Sequence, residues 1–132
     1  MKAEPNSTLK VIINADDLGL STTVNAHIFD LMARGRVSSA SILAGGEAFE
    51  DACRQAIKFD ECSFGVHLYL TEFRPLTGSP VFADCGLLSS KGEFNSNIRR
   101  VRPNRHLKEA IYKEWCAQLD RARNVGLSPC LT

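Results

Sequence analysis

The stretch Asn14-Ala15-Asp16-Asp17-Leu18-Gly19-Leu20-Ser21 indicates the fold of this chain. It follows the largely apolar run Leu9 to Ile13, and we interpret residues 9–15 as a first strand buried on both faces. Two adjacent carboxylates at the end of a buried strand repel each other and lose solvation. A divalent cation relieves that cost, and α/β proteins place their sites at the carboxyl ends of parallel strands. The alternative is an acidic pair that only favours a helix N-terminus, which does not explain why both acids directly follow a strand.

Strand and helix patterns alternate outward from that stretch. Ser21 is a candidate N-cap for a first helix that Gly35 ends, and residues 37–43 have the composition of a second strand. A second helix is predicted from about Glu47 to Lys58, and a third strand from Ser63 to Leu70. This alternation predicts a parallel sheet with helical crossovers.

A long connection follows the third strand. Periodicity fades from Thr71 to Arg105, with a small hairpin predicted at 86–94, and connections of this length are usually functional or disordered. Asn104 then caps a long helix that Gly126 ends. An apolar stripe is expected to face inward from this helix: Leu107, Ile111, Trp115, Leu119 and Ala122.

Three strands are too few to close a barrel. We therefore predict an α/β fold in which residues 9–132 form the N-terminal part of a (β/α) TIM-like barrel, after a flexible tail at residues 1–8. The barrel would be completed either by further chain or by a partner. Open strand edges invite pairing with another chain, so we expect a homo-oligomer.

The composition fits a globular protein that binds neither nucleic acid nor membranes. The 132 residues include 16 basic and 15 acidic side chains, and a net charge of +1 attracts no polyanion. Apolar runs are too short to span a bilayer, and the N-terminus lacks the apolar segment of a signal peptide. Five cysteines without CxxC spacing favour free thiols over a zinc–thiolate site. We expect a cytoplasmic protein.

His67 is the second candidate site residue. A lone histidine in an apolar run is more often a satisfied core residue than a ligand. However, His67 lies near the carboxyl end of the third strand, at the sheet edge predicted for the aspartates. One aspartate would bind a cation with His67, and the other would take a proton from water. Such a set suits Zn²⁺, Mn²⁺ or Co²⁺, whereas Mg²⁺ prefers more oxygen ligands.

Thr71 and Arg74 follow His67 closely enough to reach a substrate. A solvated loop arginine is an equally good interpretation of Arg74. His27 and His106 are not at the predicted sheet edge, and we assign neither a role.

These residues resemble the YdjC-like carbohydrate deacetylases, which include chitooligosaccharide deacetylases and a hopanoid-biosynthesis branch. The resemblance rests on residues 14–21, on Val37-Ser38-Ser39-Ala40-Ser41, and on Gly65-Val66-His67-Leu68-Tyr69-Leu70-Thr71. The run from Glu114 through Gln118 to Gly126 and Pro129 also fits.

The resemblance implies a (β/α) barrel and metal-dependent removal of an acetyl group from an N-acetylated sugar. Carried over by position, Asp16 is the general base, and Asp17 and His67 are metal ligands. The family takes a third ligand from a histidine-rich motif that would begin about where Thr132 ends, and no histidine follows His106. Because two ligands make an incomplete site, we hypothesise that these 132 residues alone are inactive.

Two other functions compete with this interpretation. A receiver-type signalling domain also has an acidic pair after its first strand, but it needs an aspartate at the end of the third strand, where this chain has Leu68-Tyr69-Leu70-Thr71. A non-catalytic binding or scaffold module would keep the fold without the chemistry. Measuring the metal content distinguishes this module from a deacetylase, since an empty Asp17–His67 site favours the scaffold.

Overall fold

The computed structural model describes residues 9–127 of the chain. In chain order the elements are β1 (Asn14–Leu18), α1 (Thr22–Ala33), β2 (Ser39–Ile42), α2 (Phe49–Ala56), β3 (Ser63–Val66), α3 (Pro80–Asp84) and α4 (Arg105–Asn124), with a short 3-10 helix at Ser96–Arg99. The strands form one parallel sheet in the order β1-β2-β3. The predicted α/β class is therefore confirmed, while closure into a barrel stays a prediction. The predicted tail at 1–8 and the segment 128–132 lie outside the described residues.

β1 begins later than the predicted strand at residues 9–15. Its pairing with β2 starts at Asn14, opposite Ser39, after Ile13 O accepts hydrogen bonds from Ser38 N and Ser39 N. The apolar side chains before that point are 52% to 88% exposed: Leu9, Val11, Ile12 and Ile13. The prediction that this run is buried on both faces is wrong. Within the described residues only Ile13 bonds to the neighbouring strand, and the apolar side chains of the run remain exposed. The strand instead continues through the acid pair to Leu18.

The main core lies between the sheet and the helices α1 and α2. Ser21 caps α1 as predicted, with its Oγ accepting a hydrogen bond from Val24 N at 3.2 Å. Buried apolar side chains of the three strands and of both helices form this core: Leu18, Ile28, Phe29, Met32, Ala40, Ile42, Phe49, Ala52, Ala56 and Phe64. This layer fixes the sheet whose carboxyl edge carries the acid pair.

The predicted long connection is organised by a second apolar cluster. α3 and the 3-10 helix lie within it, and the hairpin predicted at 86–94 takes the form of an antiparallel bridge between Leu88 and Phe94. The cluster joins this segment to α4 through Leu43, Tyr69, Phe82, Leu87, Phe94, Leu107 and Ala110. Three edge-on aromatic pairs stabilise it, with ring centroids 4.9 to 6.2 Å apart.

The buried face of α4 agrees with the predicted stripe at its two ends, Leu107 and Ala122, and differs from it between them. Asn104 caps the helix as expected, with Oδ1 accepting from Leu107 N at 2.9 Å. The buried positions are Leu107, Ala110, Glu114, Gln118 and Ala122. Trp115, expected inside, is 38% exposed. The reason is that Glu114 and Gln118 bind backbone groups of the segment after β3, which a purely apolar stripe does not reveal.

The remaining features are consistent with the composition. Four cysteines within the described range are free thiols: Cys53, Cys62, Cys85 and Cys116. No helix in residues 9–127 combines the length and apolar character needed to cross a membrane.

Candidate metal site

The acid pair lies at a bulge in β1. The pairing runs from Ala15–Ala40 to Leu18–Ile42, so β1 advances three residues while β2 advances two. Asp17 absorbs the extra residue with a left-handed φ of 66°. Neighbouring side chains of a regular strand point to opposite faces, and a bulge breaks that alternation. Both carboxylates can therefore contact the same group of residues at the carboxyl edge of the sheet.

Four residues, from β1, from β2 and from the position directly after β3, meet at this edge, and we call them the carboxyl-edge cluster: Asp16, Asp17, Ser41 and His67. Asp17 Oδ1 lies 3.3 Å from His67 Nδ1. Ser41 Oγ donates a hydrogen bond to Asp16 Oδ1 at 2.6 Å and lies 3.5 Å from His67 Nδ1. The structure thus brings together the three site residues on which the sequence interpretation depends, with Ser41 between them.

Asp17 and His67 have the chemistry and spacing of two ligands of one cation. A carboxylate oxygen and an imidazole nitrogen that each bond a zinc-like ion at about 2.1 Å come to lie slightly more than 3 Å apart. Their side chains are 50% and 37% exposed, which leaves room for water or substrate. The same spacing suits an ion pair if His67 is protonated. Among residues 9–127, no group of three or more histidine, cysteine, aspartate or glutamate side chains has an arrangement that could hold a metal ion.

A pocket of about 440 Å³ opens beside this pair, and nine residues line it: Asp17, Leu43, His67, Leu68, Tyr69, Leu70, Thr71, Glu72 and Trp115. Thr71 therefore lies where a substrate-binding role requires it, although that role stays a prediction. Arg74 lines a different pocket, with Gly78 and Gly92. The chain turns away at Phe73, which has a left-handed φ of 59°, and Tyr69 Oη donates to Arg74 O at 3.1 Å. Arg74 thus lines a pocket other than the one beside Asp17 and His67, and its substrate-binding role stays a prediction.

The turn after the acid pair is anchored by a buried asparagine of α1. Asn25 Oδ1 accepts from Gly19 N at 2.7 Å, and Asn25 Nδ2 donates to Ala48 O and Asp51 Oδ2, both at 3.0 Å. The hydrogen bond from Asn25, with one from Arg54, lowers the pKa of Asp51. A side chain at Gly46 would overlap the carbonyl group of Gly19, so the two backbones approach closely.

The segment after β3 is anchored from α4. Gln118 and Tyr69 exchange two hydrogen bonds, each 3.1 Å long. Glu114 accepts from Leu76 N at 2.9 Å and from Thr77 N at 3.0 Å. Burial raises the pKa of Tyr69 to about 12, so its hydroxyl stays protonated and donates.

The sequence interpretation gave no role to Ser41, Asn25, Glu114 or Gln118. Ser41 stood in a matched motif, and a hydroxyl on a central strand beside two candidate ligand strands was a usable signal. Glu114 and Gln118 also stood in a matched run, but that run did not show which backbone groups they bind, and nothing local marked Asn25. His27 is exposed, with its ring 2.8 Å from Thr23 O, and His106 lines a separate pocket beside α4, so neither joins the carboxyl-edge cluster.

Comparisons with known proteins identify the family of this chain. The family model described as YdjC-like protein matches residues 10–130. A carbohydrate deacetylase of Geobacillus stearothermophilus is 37% identical over 118 residues, covering 89% of this chain and 45% of the relative. One of Halalkalibacterium halodurans is 33% identical, covering 92% of this chain and 50% of the relative. This chain therefore spans about half the length of the curated relatives it matches.

A solved structure has the same fold. The protein from Enterococcus faecalis, described provisionally as a cellobiose-phosphate cleavage protein, superposes with a TM-score of 0.74 at 30% identity. The match covers 89% of this chain and 45% of that protein. With a family model that spans nearly all of the described residues, the chain belongs to the YdjC-like family.

Proposed function

We propose that this chain carries the metal-binding part of a carbohydrate deacetylase, which hydrolyses the acetamide of an N-acetylated sugar to acetate and an amine. The convergence of Asp17 and His67 at 3.3 Å, with Asp16 beside them, is the observation that carries the proposal. The curated relatives are named carbohydrate deacetylases, which supports deacetylation of a carbohydrate, and the N-acetyl linkage comes from the family resemblance.

Asp17 and His67 would hold a divalent cation such as Zn²⁺, Mn²⁺, Co²⁺ or, less suitably, Mg²⁺. The cation would polarise the acetamide carbonyl and make water a better nucleophile at neutral pH. Because His67 must be neutral to bind a cation through Nδ1, occupation of the site competes with the His67–Asp17 ion pair.

Asp16 is suited to take the proton from the attacking water. Both of its side-chain hydrogen bonds, from Ser41 Oγ at 2.6 Å and from Asn14 Nδ2 at 2.9 Å, fall on Oδ1. These bonds fix the carboxylate while Oδ2 remains available as a proton acceptor. Ser41 is thus a positioning residue for the base.

The pocket beside the cluster supplies groups that a sugar can use. Thr71 and Glu72 add polar groups to its lining, and Trp115 adds an aromatic surface. Thr71 is proposed to bind substrate, whereas Arg74 is left out because it lines another pocket.

Cation binding tests the proposal. The purified protein is titrated with Zn²⁺ and with Co²⁺ by calorimetry, and bound metal is counted by mass spectrometry. We expect one equivalent in the wild type and none in Asp17→Asn or His67→Ala. His27→Ala is the matched control, since His27 is exposed and its ring bonds Thr23 O of its own helix, and it should bind as the wild type does. A site that takes up no cation favours the alternative, a non-catalytic module that retains the fold.

Acetate release from N,N′-diacetylchitobiose tests the chemistry. Chelation should abolish acetate release. Asp16→Asn should lower the rate of release by about 100-fold, the smaller end of general-base contributions, and this result would support the role of Asp16. The Asp16→Asn protein should still bind the cation. Cation binding without acetate release would agree with the hypothesis that these 132 residues alone are inactive.

A further inference from the structure

We propose that Glu114 and Gln118 act as a positioning pair for His67 and the pocket rim, and that they set the affinity of the metal site without touching it. The pair is fully buried on α4, and both side chains bond to the segment after β3, residues 67–77. The metal part of this inference rests on the proposed function, while the positioning part rests on hydrogen bonds alone.

Gln118 takes the place of a strand beside the end of β3. Pairing with β2 ends where His67 N donates to Ile42 O at 2.8 Å. Two residues later, Tyr69 N donates to Gln118 Oε1 and Tyr69 O accepts from Gln118 Nε2. One side-chain amide thus makes both bonds that a neighbouring strand would make. His67 is itself the first of these two attachment points, and Tyr69, two residues later, is the second.

Glu114 extends the attachment to the far end of the segment. Its two carboxylate oxygens accept four hydrogen bonds, from Leu76 N, Thr77 N, Thr77 Oγ1 and Gln118 Nε2, at 2.8 to 3.0 Å. The Gln118 Nε2–Glu114 Oε1 bond links the two anchors, so residues 69, 76 and 77 are held by one unit. Thr71 and Glu72 lie on the loop between the anchors.

An apolar residue would serve the packing of α4 better than a buried carboxylate. A buried carboxylate is costly unless its oxygens are well bonded, and in residues 9–127 no lysine, arginine or histidine pairs with Glu114. What Glu114 does provide is a fixed path for the backbone that bears the pocket rim. That is the expected pattern where ligand geometry must be kept within a fraction of an ångström.

The experiment compares three variants of this chain. Glu114→Gln removes an acceptor from the bonded unit, and Thr77→Val removes only the 2.8 Å hydroxyl bond, which is less disruptive to folding. Glu109→Gln is the matched control, because Glu109 lies on the same helix but pairs only with exposed Lys113. Amide hydrogen exchange is followed by NMR, and Zn²⁺ affinity is measured by calorimetry.

We expect faster exchange at Tyr69 and Thr77 in Glu114→Gln, with Ala40 and Ile42 of β2 unchanged. Zn²⁺ affinity should fall by about tenfold, the lower end of the effect of removing a group behind a ligand. Thr77→Val should show a smaller change of the same kind, and Glu109→Gln none.

Two results would overturn the inference. One is unchanged Zn²⁺ affinity in Glu114→Gln despite faster exchange at Tyr69. The other is an equal rise in exchange at the β2 amides, which marks a general loss of stability. If the wild type binds no Zn²⁺, the proposed function fails, and amide exchange at His67 N–H in Glu114→Gln tests the positioning part alone. A rate that rises together with that of Tyr69 supports positioning, and an unchanged rate refutes it.

Discussion

The two halves of the carboxyl-edge cluster are held in different ways. The carboxylate half, on β1, is anchored by Asn25, six positions after Gly19 in the chain. The histidine half, after β3, is anchored by Gln118, which is 49 positions from Tyr69. The first anchor acts within one strand–turn–helix unit, whereas the second needs the whole connecting segment and α4 in place.

This difference separates two kinds of failure. Damage to the local anchor should disturb Asp16 and Asp17 together with the main core, since Asn25 also binds Ala48 and Asp51 of the neighbouring α2 region. Damage to the distant anchor should loosen His67 and the pocket rim while the main core stays intact. The following changes test the local half and the link between the halves.

Gly46→Ala should have the largest effect. Its methyl group would lie 2.7 Å from the carbonyl carbon of Gly19, where only backbone could move. Since overpacking against backbone is costly, we expect a loss of about 3 kcal/mol in the free energy of unfolding, measured with urea. Gly35→Ala is the control: Gly35 has φ +65° but open space around it, and should lose only about 1 kcal/mol. Equal losses would contradict a close approach at Gly46.

Asn25→Ala should cost about 2 kcal/mol, because it leaves the buried Gly19 N–H without its partner. It also removes the Asn25 bond to Ala48 O, which keeps its bond from Ala52 N. The β1 turn should loosen, and amide exchange at Gly19 should rise more than at Tyr69. Asn97→Ala is the comparison, since exposed Asn97 donates to Gly86 O where water can replace it. If exchange rises equally at Gly19 and Tyr69, the two anchors are not independent.

Arg121→Lys should cost about 1 kcal/mol by weakening the link between the halves. The guanidinium of this α4 residue donates to Ala44 O and to Glu50 Oε1, both at 2.7 Å, and lies 4.6 Å from the Phe49 ring centre. Lysine keeps the charge but not the fork or the stacking. Arg123→Lys, at an exposed position, should be neutral in the same urea titration.

The smallest effect should be a pH dependence of the stability, which arises from Asp51 beside the local anchor Asn25. The pKa of Asp51 is lowered in the folded state, so its contribution is present above the unfolded value of about 3.8 and is lost as the pH falls through the lower folded value. Asp51→Asn should therefore lose less stability than the wild type between about pH 5 and pH 2. An exposed-site control, Glu47→Gln, should follow the wild type. Parallel curves for Asp51→Asn and the wild type would exclude this role for Asp51.

The sequence correctly predicted the features that depend on residues close together in the chain or on the order of the strands. Ser21 and Asn104 are caps as their residue types indicate, and the acid pair and His67 meet because carboxyl ends of parallel strands share one edge. Where burial depends on a distant neighbour, prediction failed. The run 9–13 is apolar but exposed, because composition does not say whether another layer covers a segment.

The residues that anchor the histidine half of the carboxyl-edge cluster could not be predicted from hydrophobic periodicity. The inward face of α4 carries Glu114 and Gln118 because backbone groups of Tyr69, Leu76 and Thr77 need partners there. The prediction of an apolar stripe through Trp115 considered only the spacing of apolar residues and not these backbone partners. Sequence distance also did not show that Arg74, which closely follows His67, lines another pocket after the turn at Phe73.

The half-exposed position of Trp115 gives the protein a built-in optical probe. It is the only tryptophan of the chain, and it lines the same pocket as Asp17 and His67. Indole emission excited at the red edge of its absorption therefore comes from one place in the molecule, beside the carboxyl-edge cluster. A cation, a proton on His67 or a sugar entering the pocket can each be followed through that emission without a label.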